Sequence, residues 1–144
     1  MEEKISTSTL LSKLFKTRNI GRFMEHYCSQ MESQPFSTYL GRLCEQRGVL
    51  PAHVIQRSGI ERTFGHQLFN GRRTPSRDKV IQLAFGFGMD YDETQALLKN
   101  ARKSALYPKI RRDAVIIYAL LQNLSVIDLQ DTLSELSLPV LGEE

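Results

Sequence analysis

The sequence predicts an all-α fold, and three observations lead to that prediction. Apolar residues recur at helical spacing along most of the 144 residues, and no run alternates with period two for long. Glycine, proline and cap-forming residues divide this pattern into short segments. A shift of 35 residues then aligns one predicted helix pair with the next. We therefore predict a five-helix domain at 35–104, an N-terminal helical extension at 1–34 and a C-terminal helix pair at 105–144.

The N-terminal extension is predicted to hold two short helices. The first has a single apolar face, formed by Leu10, Leu11, Leu14 and Phe15. Asn19 is suited to cap the second helix, because its side chain can accept a hydrogen bond from the first turn. Apolar residues of that helix follow the i, i+3, i+4, i+7 spacing, at Ile20, Phe23, Met24 and Tyr27. The segment SQMESQP, which ends at Pro35, is predicted to be a linker.

The five-helix domain begins with two helices whose ends are marked by single residues. Ser37 is predicted to cap the first helix, and Gly48 to end it. Pro51 suits the first turn of the second helix, which Gly59 should end. The residues of these helices that are predicted to face inward are Leu40, Leu43, Cys44, Val54 and Ile55.

Three more helices complete the predicted domain. The third spans about Arg62 to Asn70. Ser76 is predicted to cap the fourth, and Asp90 and Glu93 have the capping-box spacing for the fifth.

The C-terminal pair resembles the two helices that precede it. One helix is predicted from about Lys109 to Asn123, and Ser125 should cap the next. The shift of 35 residues aligns Arg77, Asp78, Val80, Ile81 and Ala84 with Arg112, Asp113, Val115, Ile116 and Ala119, and aligns Gln95, Leu98 and Leu106 with Gln130, Leu133 and Leu141. We interpret this as one helix-pair unit used twice, in which each copy covers an apolar face of the other.

Several classes of protein are disfavoured by composition. The longest apolar run, Ala114 to Leu121, has eight residues, far short of the roughly 20 that a bilayer span needs. The acidic N-terminus has no long apolar segment and makes a poor signal peptide. We therefore expect a cytoplasmic protein without membrane contact.

Catalytic and metal-binding motifs are also missing from the sequence. Two cysteines are too few for a disulfide framework, and the three histidines match no common metal spacing. The sequence contains no glycine-rich phosphate loop, HExxH or GxSxG motif. We expect no cofactor, no metal and no enzymatic activity.

Charge is distributed unevenly along the chain. The net charge of +3 combines +1 at residues 1–34, +8 at 35–112 and −6 at 113–144. A basic middle and an acidic end are typical of a protein whose middle faces nucleic acid. The significance of this imbalance depends on where the arginines lie.

The third helix divides cleanly into an apolar and a polar face. At the helical angle of about 100° per residue, the apolar face comprises Phe64, Gly65, Leu68 and Phe69. The opposite face comprises Arg62, Thr63, His66 and Gln67. Arginine can pair with a guanine edge and glutamine with an adenine edge, and threonine can add a hydroxyl or methyl contact. We predict that Arg62, Thr63 and Gln67 contact bases. His66 lies on the same face and is predicted to contact a base, with a phosphate as the alternative.

Basic residues follow this helix directly. Arg72 and Arg73 lie just past an Asn-Gly turn, and Arg77 and Lys79 begin the next helix. Contacts of this kind to phosphates fix the register of a protein on DNA and supply salt-dependent affinity. The predicted phosphate contacts are Asn70, Arg72, Arg73, Arg77 and Lys79.

The stretch GIERTFGHQLFNGRRTPS at 59–76 resembles the XRE helix-turn-helix family, which includes Cro and the phage repressors. The landmarks in register are Gly59, Ile60, Leu68, Asn70, Gly71, Arg72, Pro75 and Ser76. The sequence departs from the family pattern at Gly65, where a buried aliphatic is usual, at Phe64, where a small residue is usual, and at Pro51, where many members have glutamine.

The resemblance implies a repressor-like domain that regulates transcription by binding double-stranded DNA. It also implies a homodimer on a two-fold operator. The N-terminal helices and the acidic C-terminal pair are the candidate surfaces for self-association or for a protein partner. The alternative is an adaptor with the same fold that binds a signalling protein or a toxin instead of DNA.

Overall fold

A computed structural model describes residues 5–27 and 35–142. Within these residues every regular element is a helix, which confirms the all-α prediction. The helices are α1 (Thr7–Lys16), α2 (Ile20–Tyr27), α3 (Phe36–Arg47), α4 (Pro51–Ser58), α5 (Arg62–Asn70), α6 (Arg77–Phe87), α7 (Tyr91–Asn100), α8 (Arg111–Leu121) and α9 (Val126–Glu135). The predicted linker lies outside the described residues, except for Pro35.

Two compact units make up the chain, Met1–Gln34 and Pro35–Glu144. In the first unit, Asn19 caps α2 as predicted, because its Oδ1 accepts a hydrogen bond from Arg22 N at 3.0 Å. Phe23 is buried, and its ring centroid lies 4.8 Å from that of Tyr27. Helix α1 contains no buried residue, so its predicted apolar face remains largely exposed.

Most predicted helix ends in the second unit are confirmed. Gly48 and Gly59 end α3 and α4 in the left-handed conformation. The side chains of Ser76 and Ser125 cap α6 and α9, and the predicted capping box begins α7. The predicted Ser37 cap is wrong. Helix α3 begins at Phe36, so Ser37 already lies within its first turn and Pro35 occupies the cap position without a side-chain hydrogen bond.

The core of the second unit is built around α6. All five residues predicted to face inward on α3 and α4 are buried. Helix α4 packs so closely on α6 that a Cβ at Gly86 would overlap Ser58 Oγ and the Val54 carbonyl oxygen. Gln82, also buried on α6, donates a hydrogen bond from Nε2 to Ser58 O at 3.1 Å. Gly86 therefore allows the two helices to approach closely, and the Gln82 amide links them by a hydrogen bond.

The helix-pair repeat is confirmed by contacts that recur at the shift of 35 residues. In the first pair, Gln95 Nε2 donates to Leu106 O at 3.0 Å and Leu106 N donates to Gln95 Oε1 at 2.8 Å. In the second pair, Gln130 Nε2 donates to Leu141 O at 2.8 Å and Leu141 N donates to Gln130 Oε1 at 2.7 Å. In each pair the glutamine therefore fixes the segment that follows the second helix.

Reciprocal ion pairs join the two helix pairs. Arg77 Nη2 of the first pair lies 2.8 Å from Asp113 Oδ2 of the second. Arg112 Nη2 of the second pair lies 2.8 Å from Asp78 Oδ2 of the first. Helix α6 packs on α9, and α7 packs on α8. These exchanged contacts are those of an approximate internal two-fold relation, so the second pair is part of the same folded unit.

Candidate nucleic-acid interface

Helix α5 has the predicted bounds, and its start is fixed by a residue that sequence analysis missed. Glu61 Oε1 accepts a hydrogen bond from Thr63 N at 2.9 Å, and Oε2 accepts one from Phe64 N at 2.8 Å. The bond from Phe64, followed by that from Thr63, lowers the pKa of Glu61. An acidic residue directly before a predicted helix was the available signal.

The inward side of α5 explains one departure from the XRE pattern. Gly65 and Leu68 are buried. A Cβ at Gly65 would overlap the Cγ2 atom of Ile55 on α4. Glycine at this position therefore allows α4 and α5 to approach closely.

The four predicted base-contacting residues lie on the other side of α5. Arg62 and Thr63 are exposed, whereas His66 and Gln67 are half-buried. Arg62 and His66 line a cleft of about 400 Å³ between α4 and α5. The lining of this cleft contains neither Thr63 nor Gln67.

Gln67 is joined to a residue beyond the end of the helix. Arg73 Nε donates a hydrogen bond to Gln67 Oε1 at 2.5 Å, and Arg73 N donates to Gln67 O at 3.2 Å. The chain can fold back in this way because Gly71 adopts a φ of 84°. Asn70 Oδ1 accepts a hydrogen bond from Arg72 N at 3.0 Å and steadies the same turn.

Two cations lie on the ring of Phe64. Arg73 Cζ is 4.8 Å from the ring centroid, and Lys79 Nζ is 5.4 Å from it. We name Phe64, Gln67, Arg73 and Lys79 the Phe64 cluster. An aromatic face attracts cations and restricts their positions. The cluster therefore combines one predicted base reader with two predicted phosphate contacts, and it accounts for an aromatic residue where the XRE pattern has a small one.

Arg77, in contrast, is engaged in the joint between the helix pairs. Its Nη1 and Nη2 donate to Asp113 Oδ1 and Oδ2 at 3.0 and 2.8 Å. Its Nε donates to Ser104 O at 3.0 Å, and Nη2 also donates to Ala105 O at 3.0 Å. All three guanidinium nitrogens are thus used within the protein. The structure gives Arg77 a structural role in place of the expected phosphate contact.

The remaining predicted phosphate contacts are placed differently. Arg72 is exposed, as are Asn70 and Arg73. Lys79 is half-buried, and its Nζ lies 3.4 Å from Gln82 Oε1 in addition to its position on Phe64. The turn at 70–73 therefore presents more accessible polar groups than the start of α6.

Comparisons of the chain with protein-family models, with curated proteins and with solved structures found no match. The resemblance to the XRE family therefore depends on the residues quoted above. Across residues 5–27 and 35–142, no helix has the length and apolar character that crossing a membrane requires.

Proposed function

We propose that the chain is a sequence-selective, XRE-like transcriptional regulator that binds duplex DNA with α5 in the major groove. The observation that carries this proposal is the hydrogen bond between Arg73 Nε and Gln67 Oε1. It fixes a residue able to read a base edge next to a cation able to contact a phosphate. A B-form major groove is wide enough to admit one helix, and its two rims are phosphates.

The base contacts in this proposal come from Arg62, Thr63, His66 and Gln67. The bond from Arg73 defines the orientation of the Gln67 amide, since Oε1 faces Arg73. Nε2 can then donate to adenine N7, and the second lone pair of Oε1 can accept from adenine N6. Arg73 thus supports adenine recognition by Gln67.

The phosphate contacts in this proposal come from the turn after α5. Arg72 and Arg73 are the main cations, with Asn70 and Lys79 beside them. Arg77 is left out, because its guanidinium is committed to Asp113 and to two carbonyl oxygens. The charge of +8 over residues 35–112 supports attraction to DNA over a longer range.

Selection of bound duplexes from a random pool, followed by salt titration, tests the proposal. We expect one enriched sequence and an affinity that falls steeply with salt. Gln67→Ala should lose roughly 1–3 kcal/mol at one base pair only. Arg72→Ala should weaken all duplexes alike and reduce the slope of log K against log salt by about 1. Lys99→Ala, which removes an exposed cation from α7, serves as the control.

Two results would count against DNA recognition. A pool that shows no enrichment would favour the adaptor, in which the same helices bind a protein. Enrichment that Gln67→Ala leaves unchanged at every base pair would remove Gln67 from the reading set while leaving DNA binding intact.

A further inference from the structure

The cleft between α4 and α5 has two walls of different character. Ala52 and Gln56 stand one turn apart on α4 and form one wall. Arg62 and His66 stand one turn apart on α5 and form the opposite wall. No acidic side chain lines the cleft. The walls therefore carry hydrogen-bonding groups without a carboxylate.

The floor of this cleft is apolar. It is formed by Ile55 and Ile60, which are otherwise buried. Gly65 makes room for the Ile55 side chain, because a Cβ at Gly65 would overlap Ile55 Cγ2. The volume of about 400 Å³ lies within the range of small-molecule sites. The cleft is therefore large enough to admit the edge of a base.

The polar side chains of the α5 wall are available for contacts outside the protein. Across residues 5–27 and 35–142, no hydrogen bond or ion pair occupies the side chains of Arg62 and His66. Arg62 can only donate hydrogen bonds, whereas the His66 ring and the Gln56 amide can each donate as well as accept. The cleft is therefore suited to a group that is apolar and has a hydrogen-bond acceptor beside it.

We propose that this cleft receives the methyl-bearing edge of a thymine that neighbours a guanine read by Arg62. In the major groove thymine presents its methyl group beside the O4 acceptor, and no other unmodified base carries an apolar group there. The methyl group would lie on the floor, and His66 or Gln56 would donate to O4. This assignment rests on the proposed function and deepens it, because it names two neighbouring base pairs of the selected sequence.

Changes to the DNA alone test the methyl contact. Arg62→Ala first identifies the guanine, because the preference at that base pair is lost. Each neighbouring thymine of the selected duplex is then replaced by deoxyuridine, which lacks only the methyl group. We expect binding to weaken about fourfold at one of these positions, as the loss of one buried methyl group predicts. At the same position, 5-methylcytosine should bind about fourfold more tightly than cytosine, and both should bind more weakly than thymine, because they replace the O4 acceptor with a donor.

Two variants of the protein separate the cleft from Thr63, whose own methyl group can contact a thymine. Ala52→Leu enlarges an exposed side chain of the α4 wall and narrows the cleft, and leucine is a good helix former. It should reduce the difference between thymine and deoxyuridine to less than about 1.5-fold. Thr63→Ser removes the threonine methyl group and should leave that difference unchanged. Circular dichroism checks that both variants keep the helical fold.

Three results would overturn the thymine contact while leaving DNA recognition intact. In the first, Arg62→Ala leaves the preference unchanged at every guanine of the selected duplex. In the second, deoxyuridine binds as tightly as thymine on both sides of that guanine. In the third, Thr63→Ser removes the methyl effect and Ala52→Leu does not, which would assign the contact to Thr63. A chain that selects no duplex would overturn both the thymine contact and the proposed function.

Discussion

The two helix pairs, α6–α7 and α8–α9, share a scaffold and differ in what surrounds it. Both carry an Arg-Asp dipeptide in the first turn of their first helix, and both use a glutamine to fix the segment that follows. Helix α4 covers the first pair, and Lys79 of α6 belongs to the Phe64 cluster. Within residues 35–142, no helix equivalent to α4 lies on the counterpart face of the second pair, where Tyr118 and Leu121 are exposed.

This difference separates positions that the two helix pairs share from positions that are particular to one pair. The positions with the same residue in both pairs include the arginines and aspartates of the ion pairs. They also include buried aliphatic residues of α6 and α8. Positions that do not repeat include Lys79, whose counterpart is Ala114, and Gly86, whose counterpart is Leu121. In the first pair these positions meet α5 and α4. In the second pair, Ala114 is half-buried and Leu121 is exposed.

The largest effect is expected from breaking one of the two reciprocal ion pairs. Asp113→Ala should lower the free energy of unfolding by about 3 kcal/mol, because it leaves the Arg77 guanidinium without its charged partner in a mostly buried site. Asp78→Ala, the counterpart change, should cost about 2 kcal/mol. The Asp78 side chain is 18% exposed and that of Asp113 is 2% exposed. Urea unfolding measures both values, and equal losses would show that burial does not distinguish the pairs.

The next effect contrasts Gly86 with its counterpart Leu121. Gly86→Ala should destabilise by about 1–3 kcal/mol through overpacking, since the new Cβ meets the backbone of α4 at the Val54 carbonyl oxygen. Leu121→Ala should change stability by no more than about 0.5 kcal/mol, as expected for an exposed side chain. Urea unfolding measures both changes. Similar values for the two changes would contradict the assignment of Gly86 to close helix packing.

Helix positions and inward faces could be predicted from the sequence because their signals are local. Asn19, Ser76, Asp90 and Ser125 cap the helices they were expected to cap. Ser37 was misassigned because Pro35, two residues earlier, also suits a helix start, and pattern alone did not decide between them. Each of these outcomes depends on residues within one turn.

Site details depended on contacts between residues far apart in the chain. Arg77 was expected to contact phosphate from its place at the start of α6, whereas its carboxylate partner lies 36 residues later. The alignment of Arg77–Asp78 with Arg112–Asp113 was a signal for an exchanged pair, but it did not show which arginine meets which aspartate. The Gln67–Arg73 hydrogen bond requires the left-handed turn at Gly71. It could not be predicted from the polar face of α5 alone.

The smallest effect concerns the dependence of stability on pH. Burial raises the pKa of Asp78, but hydrogen bonds from Arg112 and Gly142 N and the charges of Arg112 and Arg77 outweigh it, so the net pKa is lowered. An unfolded aspartate titrates near 3.9. As pH falls, the unfolded chain therefore takes up this proton first. The stabilisation is complete above about pH 4 and is lost as pH falls through the lower pKa of the folded state.

Asp78→Asn should therefore remove part of the acid-induced loss of stability. We expect the difference between the unmodified chain and the variant to shrink by no more than about 1 kcal/mol between roughly pH 6 and pH 3, since the pair is partly exposed. Urea unfolding at a series of pH values measures this difference, and Asp131→Asn on the exposed side of α9 controls for the loss of one acidic side chain. A difference that stays constant over this range would show that the Asp78–Arg112 pair does not depend on the charge of the carboxylate. The joint between the helix pairs would then rest on the Arg77–Asp113 ion pair, on hydrogen bonds and on the packing of α6 against α9.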